Sequence, residues 1–257
     1  MRFAAIAVAI VLFAGCKDKA KKPAATEHKG SAFALPKPTF NAPNVTGPGV
    51  EPAKPLSVVV FYSKSEISIG EEPAVDLGVD GLISPQLMEK LVLSLEQKVR
   101  SEEPVGIALD GTLAYVRVVT FLSRLKRAGF QNLVLLTRER GQIPVVMPDP
   151  SELGSPRLVV NVASNMINLY SVTGEEGTVS QPKLAIPVTD GTKKLTEALA
   201  EIVTRRWPTG TRKPPELTIT LQLEHTETAL VMMRMIAAVR ADSSRTLFPS
   251  VFLTGVN

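Results

Sequence analysis

The sequence predicts an α/β (α+β) protein built as two tandem two-layer domains. Each is a small mixed sheet with two helices packed on it, in β-β-α-β-α-β order. Three observations predict this. Short β-branched runs alternate with stretches of helical apolar spacing, which puts helices on a sheet. The order strand, strand, helix, strand, helix, strand occurs twice along the chain. A proline-rich joint separates the two occurrences.

In the first copy, Leu56 to Tyr62 is rich in β-branched and aromatic residues and reads as a buried strand. Glu66 to Gly70 alternates apolar and polar residues as a half-buried strand does. Asp80-Gly81 is turn chemistry, and Ser84-Pro85 starts a helix with Ser as N-cap and Pro in the first turn. Leu87, Leu91, Leu95 and Val99 share one face of that helix, with Val92 beside them. Val105 to Leu109 is the next strand, and Asp110 is placed to cap the helix that follows. That helix carries the stripe Tyr115, Val118, Val119, Leu122 and Leu125 and stops at Ala128-Gly129. Leu133 to Leu136 is expected to be the last strand of the copy.

In the second copy the strands are Leu158 to Val162, Ile167 to Val172, Leu217 to Leu223 and Phe248 to Leu253. Asp190-Gly191 matches the turn at Asp80-Gly81, and Leu195 and Leu199 take the places of Leu87 and Leu91 in a helix running to about Trp207. Leu230, Met233, Ala237 and Val239 form the second helical stripe. Asp110-Gly111-Thr112 and Asp190-Gly191-Thr192 look alike but precede non-equivalent helices, so they read as independent helix starts.

The N-terminus has another character. Met1-Arg2, an apolar run from Phe3 to Ala14 and then Gly15-Cys16 make a secretory signal. The run is shorter than the roughly 20 apolar residues that span a bilayer. The stretch Leu12-Phe13-Ala14-Gly15-Cys16 resembles the lipobox of bacterial lipoproteins, with Phe13 where Leu is usual. That resemblance implies cleavage after residue 15 and acylation of Cys16. The alternative is an ordinary secretory signal with an incidental cysteine. Cys16 is the single cysteine of the chain, so no internal disulfide explains it. Lys17 follows it, which points to the outer membrane. The basic run Lys17-Asp18-Lys19-Ala20-Lys21-Lys22 reads as a solvated spacer, or alternatively as a contact for anionic head groups. Proline recurs from Pro23 to Pro55, so residues 16–55 are expected to be an extended Lys/Pro-rich tether without a packed core. The expected divisions are 1–15 signal peptide, 16–55 tether, 56–140 first domain, 141–156 joint and 157–257 second domain.

The first copy resembles the periplasmic domain of the ExbD/TolR family. The residues that carry this are Val105-Gly106-Ile107-Ala108-Leu109-Asp110, then Tyr115-Val116-Arg117-Val118-Val119, then Leu125-Lys126-Arg127-Ala128-Gly129-Phe130, with Asp80-Gly81-Leu82-Ile83 before a leucine-rich helix. In the second copy Glu224 stands in place of Asp110 and Ala229 in place of Tyr115. Family members are auxiliary subunits of proton-driven envelope motors and carry an acidic residue within a transmembrane helix. The apolar run here holds no Asp or Glu, so the resemblance does not extend to proton conduction. It implies dimers, which a tandem repeat in one chain can form internally.

Sites for chemistry are sparse. There is no G-x-S-x-G elbow and no Walker A loop. His28 and His225 are the two histidines, too few for a metal site, and His225 is expected in an exposed turn. Glu71, Glu72, Asp76 and Asp80 lack the spacing of a calcium loop. Met232, Met233 and Met235 read as core filling. The net charge of +4 comes without an aromatic-interleaved basic patch, so no nucleic-acid partner is expected. No cofactor and no catalytic set is expected. Asp110 and Tyr115 are the candidate partner-binding residues. The function expected is a non-catalytic envelope lipoprotein facing the periplasm. It would associate with a transport or motor subunit or, alternatively, bind peptidoglycan or a small ligand.

Overall fold

The computed structural model describes residues 40–100, 102–148 and 158–256. The signal, Cys16, the basic run, His28 and residues 149–156 of the expected joint lie outside the described residues. The first half contains β1 (Glu51–Pro52), β2 (Val58–Tyr62), β3 (Glu66–Ile69), β4 (Val75–Asp76), α1 (Pro85–Lys98), β5 (Val105–Leu109), α2 (Tyr115–Arg127), β6 (Leu133–Leu136) and β7 (Gly141–Val145). The second contains β8 (Leu158–Ala163), β9 (Met166–Ser171), β10 (Leu184–Pro187), α3 (Val188–Arg206), β11 (Thr218–Glu224), α4 (Ala229–Arg240) and β12 (Ser250–Val256).

The predicted fold class is what the structure has: two mixed sheets and four helices. One sheet runs β1-β7-β6-β5-β2-β3-β4 and the other β10-β9-β8-β11-β12. Remove β1 and β7 and the two orders are the same. The registers agree as well. Val60 lies opposite Ile69 and Ile107, and Ile107 opposite Leu135. In the second sheet Val160 lies opposite Leu169 and Leu221, and Leu221 opposite Leu253. These pairings make Asp110 equivalent to Glu224 and Tyr115 to Ala229, as read from the sequence.

Strand alternation sorts each sheet into two faces. Val58, Val60 and Tyr62 of β2 point into the main core with the helices, whereas Phe61 joins Leu56, Ala108, Val134 and Leu136 in a second cluster on the opposite face. The main core is continuous through both halves of the chain. α1 buries Met88, Leu91 and Leu95, so its inward face is centred on Met88 rather than Leu87. α4 is apolar around nearly its whole circumference, from Ala229 through Met232, Met233, Met235 and Ile236 to Val239, and all of these are buried. The three methionines fill core space, as expected.

Four expectations of detail are corrected. Residues 40–55 are not a solvated tether. Ala42 and Val45 are buried, and the chain lies as a strap along the body. Proline removes a donor but keeps its acceptor. Pro43 O accordingly accepts Arg138 N at 3.0 Å, and Asn41 O accepts Gly111 N at 2.8 Å. Further on, a Cβ at Gly49 would stand 2.1 Å from the Ala237 carbonyl oxygen, so the strap crosses α4 backbone to backbone. β1 then pairs with β7.

Second, residues 141–145 are not a joint but β7, antiparallel to β6. Pro144 is admitted because it lies beyond the two residues that β1 covers, at a sheet edge. Third, Asp190-Gly191 lies inside α3 and is no turn. Gly191 packs against the end of the Ile167 side chain, whose Cδ1 a Cβ there would meet at 2.3 Å. Gly81, with φ 57°, does make the predicted turn. Fourth, β4 and β10 extend each sheet by a strand that the reading did not contain.

Arg240 ties these additions together. Its Nη1 donates to Pro144 O at 2.9 Å and Pro249 O at 3.0 Å, and its Nη2 meets Glu51 Oε1 at 3.3 Å. One guanidinium thus joins β7, the start of β12 and β1. Arg240→Ala is expected to lower stability by about 2–3 kcal/mol in chemical denaturation, because buried carbonyls lose a charged donor. A loss below about 0.5 kcal/mol would contradict that role.

Candidate functional site

The two halves meet around an approximate two-fold axis. Ala114 and Thr228 are the N-caps of α2 and α4, and they form an antiparallel bridge with one another. Tyr115 N donates to Glu227 O at 2.6 Å, and Ala229 N donates to Leu113 O at 2.8 Å. The first N–H of each helix, which no intrahelical carbonyl can satisfy, is therefore satisfied by the other half. Val146 and Ser250 form a second bridge, closed by Val251 N on Val146 O at 2.9 Å.

Both predicted site residues lie at this junction. Asp110 does not cap α2. Its Oδ1 accepts Thr112 N at 2.8 Å and Thr112 Oγ1 at 2.7 Å, which closes a tight turn before the helix. α2 has no side-chain cap. The equivalent Glu224 is one methylene longer and reaches Ser164 N at 2.9 Å, in the β8–β9 hairpin. Tyr115 is 1% exposed, and its hydroxyl donates to Thr254 O of β12 at 2.9 Å. Burial pushes its phenol above the ordinary value. It is an internal link between the halves, out of reach of an outside partner. His225 is exposed in the turn between β11 and α4, as expected. Glu71, Glu72, Asp76 and Asp80 are exposed, and Glu72 pairs with Lys98 at 2.8 Å. Among the described residues no group of His, Cys, Asp and Glu could hold a metal ion. Among them, too, no helix is long and apolar enough to cross a membrane.

Two clefts remain. The larger, about 750 Å³, lies between α3 and α4 under the strap. Its floor is Ala200, Ala237 and Ala238, and its rim includes Thr46, Thr196, Arg234 and Ser244. The smaller, about 350 Å³, opens at the carboxyl end of β2 between the start of α1 and the face of α2. Tyr62 and Phe121 lie in it with their rings 5.2 Å apart, edge to face. Arg117 and Arg124 flank it. Arg117 Nη2 donates to Asp80 O and Arg124 Nη1 to Ile83 O at 3.0 Å, so both hold the loop before α1. Burial raises the Tyr62 phenol, and the two guanidinium charges oppose this in part.

The reading of the sequence missed this trio. Tyr62 was a strand residue and Arg117 part of a resemblance. The available signal was Arg117 and Arg124 seven residues apart, two turns along one face of α2 beside its apolar stripe.

A charged cluster in the second half is structural. Glu176 is buried and its Oε1 meets Arg206 Nε at 2.7 Å and Arg205 Nη2, while Lys183 Nζ lies 3.7 Å from Oε2. Its backbone N–H donates to Ser171 Oγ at 2.9 Å, which closes the β9–β10 loop. Burial alone would raise the Glu176 carboxyl, but hydrogen bonds and charge from Arg206 and Arg205 outweigh it and hold it below the usual carboxylate range.

No family model matches the chain, and no curated protein matches it.

Two predictions follow from this geometry. Tyr115→Phe is expected to cost about 1 kcal/mol in denaturant unfolding, the net worth of one buried hydrogen bond. A neutral effect would place the hydroxyl outside the junction. Glu176, with its folded pKa lowered, stabilises above the ordinary carboxylate range and loses that contribution as pH falls through the folded value. Glu176→Gln is expected to lower neutral-pH stability by about 2–3 kcal/mol and to flatten the acid limb of the stability–pH curve. An unchanged acid limb would show that other carboxylates set it.

Proposed function

We propose that this chain is a non-catalytic interaction module of the bacterial cell envelope, held by lipid on Cys16 and facing the periplasm. It serves a protein or biopolymer transport or motor system of the ExbD/TolR-like kind without conducting protons itself. The observation that carries the reading is the junction: two domains of one topology satisfy each other's helix ends within a single chain. The family resemblance implies dimers, and two domains of one topology joined within a single chain support that reading. A covalent pair keeps its geometry at any concentration, which suits a sparse tethered part.

A second reading, a small-ligand or peptidoglycan-binding lipoprotein, is favoured by the cleft of about 750 Å³ with its hydroxyl-bearing rim. That volume is in the range of ligand sites.

The acylated full chain, affinity-purified from detergent-solubilised membranes, is expected to bring down a motor or transport component reproducibly. Repeated recovery without one would sink the first reading. Co-sedimentation of the full chain with purified peptidoglycan would instead support the second, and its absence would remove the peptidoglycan form of it.

A further inference from the structure

We propose that the cleft at the carboxyl end of β2 is a docking site for a short peptide segment of a partner protein, one in which a carboxylate sits between apolar residues. Arg117, Arg124 and the Tyr62 hydroxyl receive the carboxylate, and Leu82 and Val116 receive its apolar neighbours. The proposal rests on the reading of the chain as an interaction module and names the surface and the chemistry.

Four observations converge on it. Tyr62 is 1% exposed overall and lines the cleft. A phenol hydroxyl at this place is a donor for a ligand carboxylate. Arg117 and Arg124 use some of their donors on loop carbonyls, but no carboxylate pairs with either among the described residues. The carbonyls fix the two guanidiniums in place and leave their charge uncompensated, which suits them to an anion. The N-terminus of α1, capped by Ser84, opens on the same cleft and adds partial positive charge.

The rim selects a peptide over a free small anion. Leu82 is 62% and Val116 40% exposed, and both line the cleft. Grouped apolar side chains around a charged pocket are the usual make-up of an interface. The volume of about 350 Å³ admits a few side chains and excludes a large cofactor.

The cleft also distinguishes the two halves. By the strand and cap equivalences, Tyr62, Arg117 and Arg124 correspond to Val162, Val231 and Ala238. The fold therefore does not require a tyrosine or arginines at these places, and the first half alone carries them. Gly81 is fitted to this arrangement: a Cβ there would stand 2.3 Å from both Arg117 Nη1 and Lys64 O.

The test uses the full chain in detergent and fluorescence anisotropy with a labelled, acetylated peptide carrying aspartate between leucines. A peptide with lysine in place of aspartate, and sodium acetate as competitor, are the controls. Saturable binding is expected for the aspartate peptide, about tenfold weaker for the lysine peptide and about tenfold weaker in Arg117→Gln/Arg124→Gln. Tyr62→Phe, which keeps the ring and hence the packing, is expected to weaken binding about threefold with an unchanged thermal midpoint. Absence of saturable binding, equal binding of the lysine peptide, or indifference to the Tyr62 and arginine substitutions overturns the proposal. So does acetate competing as strongly as the peptide. If the peptide fails while membrane pull-downs succeed, the module has another docking surface. If it binds while they recover no transport component, the cleft stands and the transport association falls.

Discussion

A helix leaves its first N–H groups without partners, and here the partner is the other half of the chain. α2 has no side-chain cap. Its opening N–H goes to Glu227 O, and that of α4 goes to Leu113 O. Neither half on its own contains those acceptors. The exchange lies beside a main core that runs as one cluster through both halves. The Tyr115 hydroxyl on Thr254 O, the Val146–Ser250 bridge and the Arg240 clamp then close the contact on either side.

Duplication places two copies of one topology in this arrangement, and the copies have diverged. α4 packs against β11, α3, β7 and the strap and is apolar over most of its circumference, with Arg234 exposed at the cleft between α3 and α4. α2 keeps an outer face, and there Arg117 and Arg124 remain beside Tyr62. One half supplies the buried base of the molecule. The other carries a charged, apolar-rimmed cleft.

The sequence was legible where a single physical rule decided the outcome. Val105–Leu109 and Leu133–Leu136 are short apolar runs, and both strands fall where the pattern placed them. Of the α2 stripe read from the sequence, Tyr115, Val118, Leu122 and Leu125 are buried and Val119 is half-buried, and Phe121 joins them. The reading failed where two rules compete. Proline density made residues 40–55 and 141–145 look unstructured, although a proline carbonyl still accepts and an edge strand still admits proline. Asp190-Gly191 carried turn chemistry, but its glycine answers to the side chain of Ile167. Asp110 was well placed for a cap, yet the chain makes a turn first and the helix start is satisfied from far along the sequence. Such long-range partners leave no local trace, which is why the site was only half visible: Tyr115 could be named, but not its place between the two halves.

The claim on which the rest depends is that Ala114 and Thr228 of one chain face each other across the junction. Paired residues in an antiparallel bridge lie within disulfide reach, about 4.5–5.5 Å between Cα atoms. A chain carrying Ala114→Cys and Thr228→Cys, with Cys16→Ser to remove the native thiol, would be oxidised and run on a non-reducing gel with mass analysis. The account predicts near-complete formation of a disulfide within single chains. Covalent dimers, or thiols that stay reduced in the folded protein, would contradict it.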